Sequence, residues 1–266
     1  MADMKVVSIG AGNIATHLIP ALHESGCDIL QVYSRDLGNA RKLSTRVAST
    51  PINDLKHITP TADIYLIMIH DDGIRSLVRA LPKLNPKAIL AHTSGATPTR
   101  PLAKGAEHYG SFYPLQSFSK GKPTDLTKVP FLVFGNTPFA SRNLRMMARQ
   151  LSPTVKEVDD KGRLHYHLAA VLMNNFTNHL ACKTASLLSS NDMDPDILKP
   201  IVRSSFDRIL DMDPCQIQTG PAVRGDNKVE QLHLDLINED PYLSAIYKAM
   251  SQSIKKINKD LHANNG

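Results

Sequence analysis

The stretch Val6-Val7-Ser8-Ile9-Gly10-Ala11-Gly12-Asn13-Ile14-Ala15 decides the fold. Small, β-branched and apolar residues run into Gly10, as in a strand covered on both faces. A Gly-x-Gly-x-x-Ala turn follows, and Ala15 opens the amphipathic run Thr16-His17-Leu18-Ile19-Pro20-Ala21-Leu22. Each position has a mechanical reason. Gly10 permits the tight turn, Gly12 lets backbone approach a pyrophosphate, and Ala15 lets the helix pack closely on the strand. Asn13, Ile14 and Ala15 then stand at a helix start whose N–H groups face the phosphates. Without a ligand the same residues would make only a tight strand–helix connection. The motif follows a strand directly, and a second strand is expected at Ile29–Tyr33, which is the context a dinucleotide site requires.

Working outward, the first half alternates strand and helix. Strands are expected at Lys5–Ile9, Ile29–Ser34, Asp63–Ile69, Ala88–Ala91, Tyr109–Phe112, Phe131–Phe134 and Thr154–Val158. Helices fit between them at Ile14–Ser25, Gly38–Val47, Ile74–Leu81, Pro98–Lys104 and Pro138–Leu151. That alternation implies an α/β, doubly wound, mainly parallel sheet of Rossmann type. Near Asp159 the rhythm changes. Leu164, Leu168, Val171, Leu172, Phe176, Leu180, Leu187 and Leu188 recur at helical spacing through one long segment, Lys161–Ser190. Further helices are expected at Ile197–Leu210, Asn227–Asn238 and Tyr242–Leu261, so the second half reads as all-α. The expected domains are 1–158, binding the cofactor, and 159–266, serving substrate and dimerisation.

The bulk numbers narrow the class. Of 266 residues, 42% are hydrophobic and 21% charged, which are the proportions of a globular protein. The first strand begins almost at Met4, leaving no room for a signal peptide, and no apolar run approaches a membrane span. Cys27, Cys182 and Cys215 are scattered without metal or redox spacing and are read as reduced, with a cytoplasmic address. The net charge of +6 comes without a basic run interleaved with aromatics, so it fits an anionic dinucleotide better than nucleic acid.

The end of the second strand chooses the cofactor. An acidic residue there would hold the 2′-hydroxyl of NAD. This strand ends Val32-Tyr33-Ser34-Arg35, where Ser34 can donate to a 2′-phosphate and Arg35 can pair with it. Asp36 comes late and suits a helix cap. The charge logic favours NADP(H). Later strand ends line the same crevice. His70 can lie along the cofactor, with Asp71 or Asp72 capping the next helix. His92 and Ser94, within His92-Thr93-Ser94-Gly95-Ala96, suit a nicotinamide amide or a carboxylate, although His92 also reads as a satisfied buried histidine. Tyr113 and Gln116 are polar handles on the rim of a substrate pocket.

In the helical half, Asn175, His179 and Lys183 recur at i, i+4 and i+8. Together they offer an orienting amide, a titratable acid/base and a cation for a carbonyl or imine; a polar surface stripe is the plainer alternative, most of all for Lys183. Thr219-Gly220-Pro221-Ala222-Val223-Arg224-Gly225-Asp226 reads as a specified loop, in which Arg224 either holds an anionic substrate group or pairs with Asp226. His165 and His167 have no carboxylate or cysteine at ligand spacing, so no metal site is expected.

With these residues in place the chain resembles proteins that join a Rossmann-like half to a helical domain of unknown function 2520. It is similar, more distantly, to pyrroline-5-carboxylate reductase, ketopantoate reductase, 3-hydroxyisobutyrate dehydrogenase and deazaflavin-dependent NADP oxidoreductases. The resemblance rests on Ile9-Gly10-Ala11-Gly12-Asn13, Tyr33-Ser34-Arg35, His92-Thr93-Ser94-Gly95-Ala96, Tyr113-Pro114-Leu115-Gln116, the Asn174-Asn175 helix, and Thr219-Gly220-Pro221 with Arg224-Gly225-Asp226. It implies NADP binding, a helical domain used for dimerisation, and a site at the domain junction. Some relatives carry His where this chain has Tyr113. Hydroxyisobutyrate-type enzymes place a catalytic Lys four residues before an Asn, whereas here Lys183 follows Asn175 and His179, and position 187 is Leu. The expectation is an NADP(H)-dependent oxidoreductase moving hydride to or from a small carbonyl, imine or hydroxyacid, acting as a homodimer with neither nucleic acid nor membrane as partner. The alternative is a nucleotide-binding regulatory or scaffold protein without turnover. Hydride exchange with a deazaflavin ranks last.

Overall fold

The computed structural model describes residues 4–119 and 121–264. The chain divides between Asn174 and Asn175 into two compact units.

The first unit is built on eight strands: β1 (Lys5–Ile9), β2 (Asp28–Tyr33), β3 (Thr50–Ile52), β4 (Ile64–Ile67), β5 (Ile89–His92), β6 (His108–Pro114), β7 (Phe131–Gly135) and β8 (Val155–Glu157). Their order in the sheet is β3-β2-β1-β4-β5-β6-β7-β8. The first six are parallel, β7 is antiparallel to β6, and β8 is parallel to β7. The reversal has a local cause. A parallel return is usually made through a crossover helix, and among the described residues between β6 and β7 the regular structure is the 3-10 turn Leu126–Lys128 and no α-helix. The strand missing from the sequence reading, β3, is a three-residue edge strand with Pro51 at its centre, too short and too poor in donors to signal itself.

Helices α1 (Asn13–Glu24), α2 (Leu37–Arg46) and α4 (Pro138–Leu151) cover one face of the sheet, and α3 (Asp71–Ala80) covers the other. Adjacent strand residues therefore enter different cores. Val6 faces Leu18, Leu22 and Leu43, while Val7 faces the core that holds Ile74, Leu77 and Val78. Burial on both sides explains why these strands read as continuous apolar runs. The segment expected as a helix over Pro98–Lys104 is a 3-10 turn, Arg100–Lys104, with Leu102 buried. Strand order reverses between β1 and β4, so the crevice beyond their carboxyl ends is where such a sheet takes its ligand.

Helix α5 (Asp160–Ala170) belongs to the first unit and is capped by Asp159, whose carboxylate accepts the Gly162 N–H at 2.7 Å. The expected long helix is not regular. A π-helical stretch, Val171–Phe176, follows α5, and α6 (Thr177–Ser189) follows that. A π stretch shifts each hydrogen bond by one residue without needing Gly or Pro, so the sequence carries no break to read.

The second unit is helical: α6, α7 (Lys199–Asp211), α8 (Pro221–Arg224), α9 (Asn227–Leu236) and α10 (Pro241–Asn264). Internal ties run to α10, from Glu230 to Lys255 at 2.8 Å and from His233 Nδ1 to Tyr247 Oη at 2.8 Å. Among the described residues no helix is long and apolar enough to cross a membrane.

Candidate functional site

The glycine turn is pinned from both sides. Gly10 donates its N–H to Tyr33 O at 2.8 Å, and Met68 donates to Ile9 O at 2.8 Å. Gly10 has φ of +129°, and a Cβ there would lie 2.2 Å from Met68 O, so the fold itself demands glycine. Gly12 is different. Its nearest neighbour to a Cβ is Met68 O at 4.0 Å, so the protein's own packing leaves room for a side chain. Packing within the protein therefore does not by itself require a glycine at this position. Gly12 is also the N-cap of α1, with no side chain capping the helix. Ala15 is fully buried. Ile14 is half-buried. The Asn13 side chain is turned to protein, donating to Phe118 O at 3.2 Å, and the His17 ring meets Ser119 O at 3.1 Å, so the loop after β6 leans across the start of α1.

At the end of β2 the half-buried Ser34 donates its N–H to Ile52 O at 3.0 Å, and Arg35 is exposed. Asp36 is committed to the backbone. Its carboxylate accepts from Gly38 N at 2.7 Å and Asn39 N at 3.4 Å as the cap of α2. The acid that would select a ribose hydroxyl is thus occupied, and the groups left at the strand end are a hydroxyl and a guanidinium. An open glycine cradle, an uncapped helix start and an exposed Arg suit a dinucleotide with a 2′-phosphate.

Beyond β4, β5 and β6 the structure assembles a polar cluster. His70 is exposed and occupies the N-cap of α3 without a side-chain cap bond, which corrects the expectation that Asp71 or Asp72 caps it. Asp71 sits one position further on because its carboxylate is needed elsewhere: it accepts Ser94 Oγ at 2.7 Å. Ser94 Oγ in turn accepts the N–H groups of Ala96 (3.2 Å) and Thr97 (2.8 Å), which curls the loop after β5. His92 is fully buried, and its Nδ1 accepts the Ser94 N–H at 3.2 Å. Burial, with the Arg163 charge second, pushes its pKa down to about 4, so the ring is neutral.

Arg163 of α5 is the largest fully buried side chain. It donates to Ser111 Oγ at 2.8 Å, to Asp160 Oδ1 at 2.9 Å and to the Thr97 carbonyl. Asp160 Oδ2 accepts Thr99 N at 2.8 Å and Thr99 Oγ1 at 3.1 Å. One helix turn therefore fixes the loop after β5. Two residues past Thr97, Thr99 is 2% exposed, so this end of the anchorage is buried, while the Asp160 carboxylate is partly exposed. Tyr113, at the end of β6, meets His167 Nδ1 through its hydroxyl at 3.1 Å. Burial pushes its phenol up. Gly95 makes the pair possible, because a Cβ there would lie 2.5 Å from His167 Nδ1 and 2.9 Å from the Tyr113 ring. A hydrogen-bonded phenol and imidazole can hold and pass a proton.

Gln116 is exposed and its Oε1 accepts the Ser117 N–H at 2.8 Å. In the second unit Asn175 and His179 are exposed, and Lys183 is ion-paired with Asp240, whose carboxyl that lysine holds below its usual range. Arg224 lies in α8. Asp226 caps α9 by accepting Val229 N at 3.2 Å, and among the described residues no ion pair joins it to Arg224. No group of three or more His, Cys, Asp or Glu among the described residues is placed to hold a metal ion.

Sequence reading missed Asp160, Arg163 and His167 as parts of this cluster. One signal was there: Arg163 is a cation in the first turn of a helix, where the macrodipole favours acids, so it needed a reason to be there. His167 gave no such signal, because its partners Gly95 and Tyr113 are remote in sequence.

Residues 1–110 match the model of a Rossmann-like domain, and residues 129–254 match that of a domain of unknown function, DUF2520. No curated protein sequence matches. Among solved structures, a provisionally named NADP oxidoreductase from Bacteroides fragilis is 34% identical, covers 96% of this chain and 98% of its own, and superposes with a TM-score of 0.85. A reductive aminase from Aspergillus terreus in complex with NADPH and ethyl-5-oxohexanoate is 12% identical over 97% of this chain and 98% of its own, with a TM-score of 0.72. An imine reductase from Myxococcus stipitatus in complex with NADP+ is 14% identical over 97% and 94%, with a TM-score of 0.64. The last two share the fold.

Proposed function

The chain belongs to the family of Rossmann-like proteins with a C-terminal DUF2520 domain, and from there we propose that it is an NADP(H)-dependent oxidoreductase acting on a small carbonyl, imine or hydroxyacid. The observation that carries the cofactor half is the end of β2. Asp36 is spent on capping α2, and Arg35 is left exposed beside Ser34. The provisional naming of the Bacteroides fragilis relative agrees with it. The test is calorimetric titration with NADPH and, separately, NADH. NADPH is expected to bind more tightly by about tenfold or more, the worth of a charge-assisted phosphate contact, and Arg35→Ala should erase that preference. Equal affinity for the two, or none for either, would sink the reading.

When bound, the nicotinamide supplies or accepts the hydride. Everything else falls to the chain. The N–H groups at the start of α1 hold the pyrophosphate, and Gly12 lets it approach. On the substrate side, Tyr113 holds a proton at its phenol oxygen, hydrogen-bonded to His167 Nδ1, for the oxygen or nitrogen whose carbon is reduced. Turnover of NADPH across a panel of aldehydes, 2-oxoacids and cyclic imines should fall in Tyr113→Phe while NADPH affinity is kept.

The same reading includes a homodimer formed through the second unit. Among its described residues the only buried hydrophobic ones are Ala222 and Ile237, while Leu210 is 81% exposed, Ile197 77% and Ile201 64%. A helical unit with so little core of its own needs another surface to cover those side chains. Light scattering of the full chain is expected to return the mass of two copies, and a clean monomer would remove this part of the proposal.

A further inference from the structure

On the sheet face opposite α1, an open pocket of about 480 Å3 lies between α3 and the 3-10 turn Arg100–Lys104. Arg75 and Arg79 line it from α3, and Arg100 and Lys104 line it from the turn. No acidic residue lines it. Arg75 and Arg79 are four residues apart on an α-helix, the spacing at which like charges repel. All four are exposed, and among the described residues none is ion-paired with a carboxylate. The nearest acids along α3 are Asp71, which accepts from Ser94, and Asp72, one turn before Arg75 and two turns before Arg79.

Both walls are held rigidly. Ile74 and Val78 root α3 in the core, and Leu102, fully buried, roots the turn. Pro98 and Pro101 stiffen the remaining wall and give it an apolar character. A pocket of this size, with fixed walls, an apolar side and four cations in its lining, has the makeup of a small-ligand site for an anion. Guanidinium groups recognise phosphate through paired N–H donors, and three of the four cations are Arg. We propose that this pocket binds a small phosphorylated molecule, at a place separate from the glycine cradle. Its wall runs into the polar cluster: Pro98 and Arg100 flank Thr99, which is bound by Asp160, and Thr97 before them accepts from Arg163. The two prolines line the concavity beside the cations, which suits a single compact ligand, whereas a nucleic acid would need a line of cations along the face.

The experiment is calorimetry on the full chain, saturated with NADPH, at one fixed ionic strength. The probes are inorganic tripolyphosphate, which is phosphate alone, and adenosine 5′-monophosphate, which is phosphate with a less polar body. One equivalent per chain is expected for at least one probe, weakened about tenfold or more in Arg79→Ala/Arg100→Ala. Both substitutions are on exposed side chains outside the cradle, so NADPH affinity and the melting temperature should not change. Tighter binding of the monophosphate assigns a role to the proline wall, and tighter binding of tripolyphosphate assigns the affinity to charge alone; either supports the site. Absence of heat with both probes, or binding that the double variant leaves intact, overturns it. So does binding of a DNA duplex alone that the double variant abolishes, which would make the face a nucleic-acid surface. If NADPH itself does not bind, the bare chain serves in the same titration, because the double variant leaves Gly12 and Arg35 untouched.

Discussion

In the first unit the strands are sealed by helices on both faces, and even a guanidinium, Arg163, is completely buried, its two terminal nitrogens bound to Ser111, Asp160 and Thr97 while Nε has no partner among the described residues. In the second unit α6, α7 and α9 contain no buried residue, and apolar side chains such as Ile197 and Leu210 stand in the open. The difference teaches where geometry can be trusted to one chain. A sealed core fixes side chains without help, so the glycine cradle and the polar cluster are properties of the first unit alone. The second unit has amphipathic helices whose apolar sides a single chain does not cover, so its polar stripe takes its environment from whatever covers them.

The sharpest way to break this contrast is at Arg163. If the first unit's polar cluster is as tightly built as its burial says, Arg163→Ala removes a buried cation and strands the acceptors around it, and should cost on the order of 4 kcal/mol. Chemical denaturation reads this directly. A loss near that of an ordinary surface substitution would mean that water reaches the cluster and that it is no better enclosed than the second unit.

A slightly smaller effect is expected from His92. Its folded-state pKa, about 4, lies below the ordinary histidine value of 6.5. Between those values the unfolded chain takes up a proton that the folded chain refuses, so stability is complete above about pH 6.5 and is lost as pH falls towards about 4. The loss from this group should approach about 3 kcal/mol. Thermal melts across that range in His92→Gln should show a flatter acid limb than the wild type. Arg163→Ala should flatten it too, since the Arg163 charge is the second cause of the shift. An unchanged acid limb in both variants would place the titrating group elsewhere.

The same contrast explains what could be read from sequence. The sheet was legible because parallel strands buried on both faces, such as Ile64–Ile67, must be apolar throughout, and because Gly10 has a backbone that only glycine adopts easily. The cap at Asp36 was legible because it is local. Edge strand β3 was not, with three residues and a proline, nor was the π stretch over Val171–Phe176, which needs no special residue. The cluster was half legible. Strand ends announced His92, Ser94 and Tyr113, but Asp160, Arg163 and His167, which bind Thr99, Ser111, Thr97 and Tyr113, come from a helix some 50 to 70 positions later, and periodicity carries no information on such contacts. Asn175, His179 and Lys183 read as one stripe by spacing, yet Lys183 is tied to Asp240, a partner that spacing on one helix cannot supply.

Gly12 separates folding from binding within the first unit. Its Cβ position is open to 4.0 Å, so Gly12→Ala should leave the melting temperature unchanged while weakening NADPH by about tenfold, roughly 1.4 kcal/mol. Unfolding of the variant would show that the turn, like Gly10, is needed for packing. Retained affinity would show that nothing approaches Gly12 closely.

The smallest effect is expected in the second unit. His179 is exposed on α6, so His179→Ala should change stability by less than about 0.5 kcal/mol, the usual scale for a surface position. This is the counterpart of the Arg163 measurement, a polar residue at the end of the scale where one chain provides no enclosure. If the variant is instead destabilised by more than about 1 kcal/mol, and the loss grows with protein concentration, then His179 is enclosed by a second copy and the exposed stripe is part of the interface. If stability holds but turnover across the carbonyl and imine panel falls with NADPH affinity kept, His179 takes part in the proton chemistry together with Tyr113. If neither moves, the stripe is solvated surface, and the chemistry belongs wholly to groups that the first unit holds in place.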